Sequence, residues 1–544
     1  MDADELLKRF DRLKGDRTNW ESHWEEVAQR VMPDYSTTFT SPSPGATKGN
    51  KRNLEVYDST AISANIRFAA AMESMLTPRN QTWHRIRPSD RTLRANKQVK
   101  LWFEEVNQRM WDFRYSPRAN FASQIHECYL GLGAFGTASM FIDALADPTD
   151  TRVKGLRYRA NHLAEVFFLE NHQGIVDTVF RRFTMTARQM AQKWGFDALP
   201  DKIKADAKDK PENEFEVVHC VMPRGEVDPR RKDFRGMRFA SYYLSVEGRK
   251  QLSEGGYHTF PYAIGRYVVA PGEVYGRSPA MLALPAIKTL NEEKKAILKQ
   301  GHRTVDPVLL AHDDGVLDTF SLRPGAINAG GVTADGRPLV HALPVGNLAV
   351  GKDMMDDERM QINDIFLVTL FQILVETPQM TATEVLERAR EKGALLSPTM
   401  GRQQSEFLGP TLERELDVLA QQGLIPPMPR ILAEAQGEYT IEYDSPLSRA
   451  QRAEEAAGLM RTVQWASEIA SVTQNPEPLD HFDWDKIVPE LSDISAVPAR
   501  WMRDQNVVEA IRKGRTDGAA AQNLVNALPG AAAMTKALAV AGGK

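Results

Sequence analysis

Three short stretches of this 544-residue chain carry residue types at spacings that could do chemistry. Gly131-Leu-Gly133-Ala-Phe-Gly136 matches G-x-G-x-x-G, a pattern whose glycines let a backbone approach a pyrophosphate at a helix N-terminus. That chemistry needs a strand before the first glycine. Here Phe121, Ile125, Cys128 and Leu132 recur at helical spacing, so the glycines read as a helix end or a packing contact. His312-Asp313-Asp314 could hold a divalent cation, but a turn between strands accounts for the same residues. Asp356-Asp357-Glu358 could seed a two-metal nuclease, which would need carboxylates converging from several elements. Acidic residues in a first helical turn offset the macrodipole in any case. There is no G-x-x-x-x-G-K-[ST] phosphate loop and no H-E-x-x-H, and neither Cys128 nor Cys220 sits in a C-x-x-C pair. The expectation is a protein without catalytic residues, metal or cofactor.

The remaining charge pattern lies on two long helices. The first runs from about Leu284, or from Ser278-Pro279, to Arg303. At roughly 100° per residue its Lys288, Lys295 and Lys299 fall within about 40° of one another, flanked by His302 and Arg303. Ile287, Leu290, Ile297 and Leu298 take a different face. The second runs from Asp353 to about Val375, with Asp353, Asp357 and Asp364 opposite Met354, Met355, Ile362 and Ile365. Three readings fit a basic stripe beside an acidic one. They are two solvated faces, an ion-pair seam within or between subunits, or one stripe against a nucleic-acid backbone, gripping if basic and repelling if acidic.

Between these helices, residues 304–350 turn Gly- and Pro-rich with short apolar runs, which predicts a helical hairpin with a small β-containing unit at its tip. Upstream, residues 1–32 read as two amphipathic helices ending at Pro33, and a helix runs from about Tyr57 to Pro78 with Asp58 or Ser59 as cap. Helices are predicted at 97–113, 119–135 and 187–194, with strands around 156–184, 215–222, 238–246 and 260–269 and a polar stretch through Pro211. Downstream come a capping box at Thr381-Ala-Thr-Glu384, a helix over 405–419, a strand at 439–443 and helical segments over 449–515. The fold class is α+β, predominantly helical and multi-domain.

Lys and Arg number 68 against 72 Asp and Glu, a net charge of −4, which excludes a generic polycationic nucleic-acid wrapper. Two cysteines make no disulfide framework, so a reducing compartment is expected. The opening MDADELLKRFDRLKGD lacks a signal-peptide core, and the apolar stretch from Ile365 to Val375 is about half a membrane span, so a soluble intracellular protein is expected.

Taken in order, several motifs resemble the head-to-tail connector, or portal, proteins of short-tailed bacteriophages (the podovirus type). They are Trp20-x3-Trp24 before Pro33, Asp58-Ser-Thr with the small-residue helix to Leu76-Thr-Pro78 and Trp83, and Phe135-Gly-Thr137. Pro261-Tyr262 to Arg266, Tyr275-Gly276-Arg277-Ser-Pro279, Leu290-Asn291 and Thr381-Ala-Thr-Glu-Val385 complete the set. The resemblance implies a non-enzymatic dodecameric ring at one capsid vertex, with double-stranded DNA passing through its axis during packaging and ejection. It further implies a wing (1–278 and 381–445), a first stem helix (279–303), a clip (304–350), a second stem helix (351–370), a tunnel loop (371–380) and a crown (446–515), followed by an Ala-rich segment (516–544) that is helical or flexible. Partners would be further copies of the chain, the terminase motor, the tail adaptor, and capsid and scaffolding proteins, in a virion assembled in the host bacterial cytoplasm and without a membrane. Candidate channel or seam residues are Lys288, Lys295, Lys299, Lys352, Asp353, Asp357, Arg359, Asp364, Glu376, Arg388 and Arg390. Candidate clip docking residues are His312, Asp313, Asp314, Arg323 and Arg337. The tunnel loop departs from a basic grip, because 371–380 holds no Lys or Arg and only Glu376. Arg388 and Arg390, or Lys352 and Arg359, would have to supply one, although Glu384 and Arg388 also form an ordinary i,i+4 helix pair. The alternatives are a tail collar or adaptor ring and a metal-dependent nuclease.

Overall fold

Apolar residues alternating with polar ones over the central third of the chain form two antiparallel sheets, and the helically spaced segments on either side pack on them. The computed structural model describes residues 2–40, 49, 52, 56–94, 96–145, 153–228, 230–231, 233–311, 321–344, 348–369, 398–435, 437–443, 446–475, 477–494, 499–503 and 507–515. Two compact units emerge. One comprises Met1–Trp83 with Asp112–Gly423, the other His84–Trp111 with Leu424–Lys544. The chain is α+β.

In the first unit, the strands Val166–Glu170, Val176–Thr186, Glu214–Pro223, Phe239–Ser245 and Lys250–Tyr257 form a five-stranded meander. The helix Ala3–Asp16 lays Leu6, Leu7 and Phe10 on one face of it, against Phe167, Phe180, Val218 and Leu244. The helices Ala187–Trp194 and Asp201–Asp209 place Met190 and Ile203 among Phe215, Val217 and Leu252. A second sheet has Thr137–Ala144 between Leu156–Ala160 and Tyr262–Arg266. Sequence reasoning missed three of these elements, one of them the strand Thr137–Ala144, whose first four residues are all buried and so show no alternation. The helix Asp201–Asp209 buries only Ile203, so in sequence the segment reads as part of a polar stretch. The strand Lys250–Tyr257 contains Gly255-Gly256, and Gly256 is needed because a Cβ there would meet the Phe234 carbonyl oxygen at 2.7 Å.

The glycine pattern resolves as packing. Residues 121–135 are helical with no strand before Gly131. At Gly133 a Cβ would lie 2.2 Å from Asn65 Oδ1, so this glycine lets the helices Thr60–Leu76 and Phe121–Phe135 touch. Gly136 caps the helix at φ 73°, and its Cβ would meet the Gly276 carbonyl oxygen at 2.4 Å. Gly276 in turn approaches the Gly136 carbonyl, which explains why Phe135-Gly-Thr and Tyr-Gly276-Arg both carry glycine. Thr137 Oγ1 accepts from the Gly276 N–H at 3.0 Å and closes the contact.

The interior of this unit also holds a fully buried ion pair. Arg114 Nε donates to both Glu415 oxygens at 3.0 and 3.1 Å, and the Tyr158 hydroxyl donates to Glu415 at 2.8 Å. The Arg114 guanidinium lies 4.7 Å from the Trp83 ring centroid. In the second unit, His84–Pro88 pairs with Tyr439–Tyr443, and Asn107 brackets Ile86 by accepting from its N–H and donating to its carbonyl. The helices Pro446–Thr473 and Trp484–Ile494 follow, and no described side chain from 456 to 515 is buried.

Gly136→Ala should lower the chain's thermal midpoint sharply, corresponding to about 2 kcal/mol or more, through clash and positive φ. Gly131→Ala should be neutral or slightly stabilising, since its nearest atom is Thr137 O at 3.8 Å and helix propensity favours alanine. Differential scanning fluorimetry of the two variants checks both. Equal sensitivity would contradict the packing account.

Candidate functional site: a helical hairpin and its joint

Ser278-Pro279 starts the first hairpin helix as the local chemistry demands. Ser278 Oγ accepts from Met281 N–H at 2.9 Å and donates to the Ala134 carbonyl at 2.8 Å, and Pro279 needs no partner for a missing N–H. The helix runs Pro279–Val305, continuous through Pro285. The returning helix is Leu348–Ile365, beginning earlier and ending sooner than its apolar spacing suggests. Between them Leu309–Ala311 pairs antiparallel with Val340–Ala342, and Val332 bridges Pro338. None of the described residues in 306–344 is buried.

The two helices pack on each other, with Ile287 and Leu290 of the first and Met355 and Ile362 of the second buried. Gly351 allows close approach, since a Cβ would stand 2.8 Å from Ile297 Cδ1. Leu298 and Met354, which spacing groups with the apolar residues of their helices, are 44% and 52% exposed.

The base of the hairpin is held by a polar joint. Buried Asn291 accepts with Oδ1 from the N–H groups of Tyr57 and Asp58 at 2.9 and 3.1 Å and donates to the Ile287 carbonyl at 3.0 Å. Asp58 Oδ1 accepts from Thr60 N–H at 2.9 Å at the start of the helix Thr60–Leu76. Its other oxygen takes Arg359 of the returning helix at 2.6 Å, and Arg359 also reaches Asp356 at 2.8 Å. Burial alone would raise the Asp58 carboxyl, but the Thr60 and Arg359 hydrogen bonds outweigh it and hold it below its usual range. Asp58-Ser-Thr and Leu290-Asn291 are thus two halves of one contact, and Arg359 is the third. Sequence reasoning set Arg359 down as a channel candidate and had no signal for its partner 301 positions away.

The two stripes do not meet within this chain. Lys288 pairs with Glu26 of the helix Thr18–Val31, and Lys295 lies 3.7 Å from Glu292 with its ammonium 5.5 Å from the Tyr57 ring centroid. Lys299 and Lys352 are exposed with no carboxylate partner among the described residues, as are Asp353 and Asp357. Asp364 accepts from the Thr369 hydroxyl at 2.6 Å. Arg323 and Arg337 stand exposed at the hairpin tip. His312, Asp313, Asp314, Glu376, Arg388 and Arg390 lie outside the described residues, as does the Thr381-Ala-Thr-Glu384 capping box. No cluster of three metal-ligating side chains occurs among the described residues, and none of their helices is long and apolar enough to cross a membrane.

One carboxylate pair runs against the rest of the hairpin. Glu293 and Glu358 each keep an oxygen shielded from water without a hydrogen-bond partner, and burial, followed by the Glu358 charge, raises the Glu293 carboxyl. A raised native pKa means stability is fullest below the ordinary glutamate value and declines as pH rises through the raised one. Glu293→Gln should therefore raise the thermal midpoint at neutral pH and give no gain near the ordinary glutamate pKa, as melts across that range would reveal. Asn291→Leu should cost about 2 kcal/mol or more, because it strands two buried N–H groups. Hydrogen exchange should quicken at the Tyr57 and Asp58 amides.

Comparison with known proteins matches this architecture over nearly its whole length. The family model described as bacteriophage head to tail connecting protein matches residues 3–502. The chain is 29% identical over 520 residues to the "Probable portal protein" of Bordetella phage BPP-1, covering 94% of this chain and 91% of that one. It is likewise 29% identical over 532 residues to the "Portal protein" of Salmonella phage epsilon15, covering 96% and 92%. With the Asp58–Asn291–Arg359 joint, the glycine contact and the two-helix hairpin all inside the matched span, this chain belongs to the bacteriophage head to tail connecting proteins.

Proposed function

We propose that this chain is the portal subunit of a phage head, one copy in a ring that works by its shape, with DNA passing through the bore during packaging and ejection. The observation that carries this reading is the hairpin itself. Its base is locked to the body by the Asp58–Asn291–Arg359 joint, while its tip buries nothing among the described residues from 306 to 344. A strand pair with Leu310 exposed on it, and Leu322, Ile327 and Val332 exposed in the segment between its strands, gains its stability from surfaces outside the lone chain. Neighbouring copies in a closed ring supply such surfaces repeatedly.

In this reading 1–278 and 381–445 form the wing, 279–303 and 351–370 the stem, 304–350 the clip, 371–380 the tunnel loop and 446–515 the crown. The ring is dodecameric. The clip docks the terminase motor first and the tail adaptor later, and the wing meets capsid and scaffolding proteins in a virion assembled in the host cytoplasm. Lys299 and Lys352, exposed and with no carboxylate partner among the described residues, are stem cations that can meet a neighbour or the DNA backbone.

Negative-stain images and mass photometry of the purified chain should give rings with a central hole. A monomer that nicks plasmid in magnesium would overturn the reading in favour of a nuclease. Deleting 315–340 should leave rings intact and abolish capture of motor or adaptor. Charge reversal of Lys299 together with Lys352 should reduce ring yield or DNA retention severalfold, and wild-type behaviour in both would remove these lysines from the channel and the seam.

A further inference from the structure

Ser22, Glu25, Glu26 and Gln29 stand at i, i+3, i+4 and i+7 of the helix Thr18–Val31, a spacing that sets them on one face. With His23 and Thr40 they line an open cavity of about 500 Å³, a size that holds small ligands. The segment that brings Thr40 to the cavity is pinned by its rings. Tyr35 stacks on His162 with centroids 4.9 Å apart, and buried Phe39 meets Trp24 at 5.5 Å and His162 at 4.9 Å. Thr37 takes φ 68°, a costly conformation for a β-branched residue, and Glu25 Oε1 accepts its N–H at 2.5 Å. The cavity therefore has a preset shape.

Glu25 is the unsatisfied group in this wall. It is 6% exposed, and its Oε2, shielded from water, has no hydrogen-bond partner among the described residues. A buried carboxylate ordinarily has both oxygens satisfied and a cation beside it. The cations around the cavity are engaged elsewhere. Lys288 pairs with Glu26, Arg30 lies 3.8 Å from Glu26, and Arg277 lies 2.5 Å from Glu273. Burial, followed by the Arg277 charge, lowers the His23 pKa, so this imidazole brings no positive charge at neutral pH.

We propose that this cavity receives the ammonium group of a lysine from another polypeptide, with Glu25 as its counter-ion. One open oxygen suits a compact ammonium better than a guanidinium fork, which binds best to both oxygens of a carboxylate. Ser22 Oγ, which donates to the Asn19 carbonyl at 2.9 Å, keeps lone pairs for a second ammonium N–H. The Gln29 amide and the Thr40 hydroxyl bring acceptors of the same kind to the wall. The lysine comes from a second copy of this chain or from a different protein, and the recognition chemistry is the same for both. The site uses none of the residues of the Asp58–Asn291–Arg359 joint and does not rest on the portal reading.

A water-soluble carbodiimide joins a carboxylate to an amine in contact with it, which makes the pairing readable. Isotopically light and heavy full chain would be mixed before assembly and treated with the reagent, with Nα-acetyl-lysine amide added over a concentration series. Mass spectrometry then reads the peptides. If a second copy is the donor, Glu25 forms an isopeptide that joins light to heavy chain. If the site is open to a different protein, Glu25 forms an adduct with the added amine that saturates, while coupling at exposed Asp11 keeps rising. Nα-acetyl-arginine amide should compete about tenfold more weakly than the lysine compound. In melts Glu25→Gln should fall no lower than wild type, since its amide still accepts the Thr37 N–H, and the added amine should not stabilise it. Asp11→Asn should respond as wild type does. An isopeptide confined to one copy, no coupling at Glu25 while Asp11 couples, an adduct that never saturates, equal competition by the arginine compound, or stabilisation of Glu25→Gln by the amine would each overturn the proposal.

Discussion

Two backbone N–H groups, those of Tyr57 and Asp58, meet the buried face of a long helix, and the carboxamide of Asn291 accepts from both. Leaving either unpaired would cost more than most single contacts in the molecule contribute. The constraint reaches further because Asp58 has a second task at each of its oxygens. One receives the Thr60 N–H at the start of a core helix, and the other receives Arg359 from the returning helix. Three helices distant in sequence are thereby held in one arrangement by groups with directional requirements, which apolar packing alone would not impose.

The body beneath the joint is specified in the same way. Gly136 and Gly276 bring two backbones closer than any Cβ would allow. Arg114, Glu415 and Tyr158 form a buried set in which every partner satisfies another. Arg266 draws Glu406 and Glu170 together across separate elements. Buried ion pairs of this kind contribute little net stability against apolar residues of equal volume, but a wrong arrangement would strand a charge. They select one packing more than they strengthen it.

This gives the hairpin a mechanical character. At its base Asn291, Ile287, Leu290, Met355 and Ile362 are buried, and toward the strand pair at its tip none of the described residues is. A lever fixed at one end with an uncovered tip suits a part whose final surroundings are other molecules. The charges follow the same gradient. Lys288 is tied to Glu26 near the base, whereas Lys299 and Lys352 are exposed with no carboxylate partner among the described residues.

By itself the sequence determined most of the local elements and their order. Helices such as Ala187–Trp194 and the strand Tyr439–Tyr443 were legible because side chains on one short segment reveal its period. It also carried the absence of a phosphate loop and the family's spaced motifs, since both are written in residue identity. Elements that bury little, such as Asp201–Asp209 with Ile203 alone buried, read as polar connections. Tertiary structure alone decided what each charge meets. The helical wheel put Lys288 and Asp357 on matching stripes, but Lys288 found Glu26 and Arg359 found Asp58, because an ion pair depends on distances across space that sequence separation does not encode. The cavity at Glu25 was equally hidden, for it exists only once the segment carrying Thr37 and Thr40 has folded onto the helix Thr18–Val31.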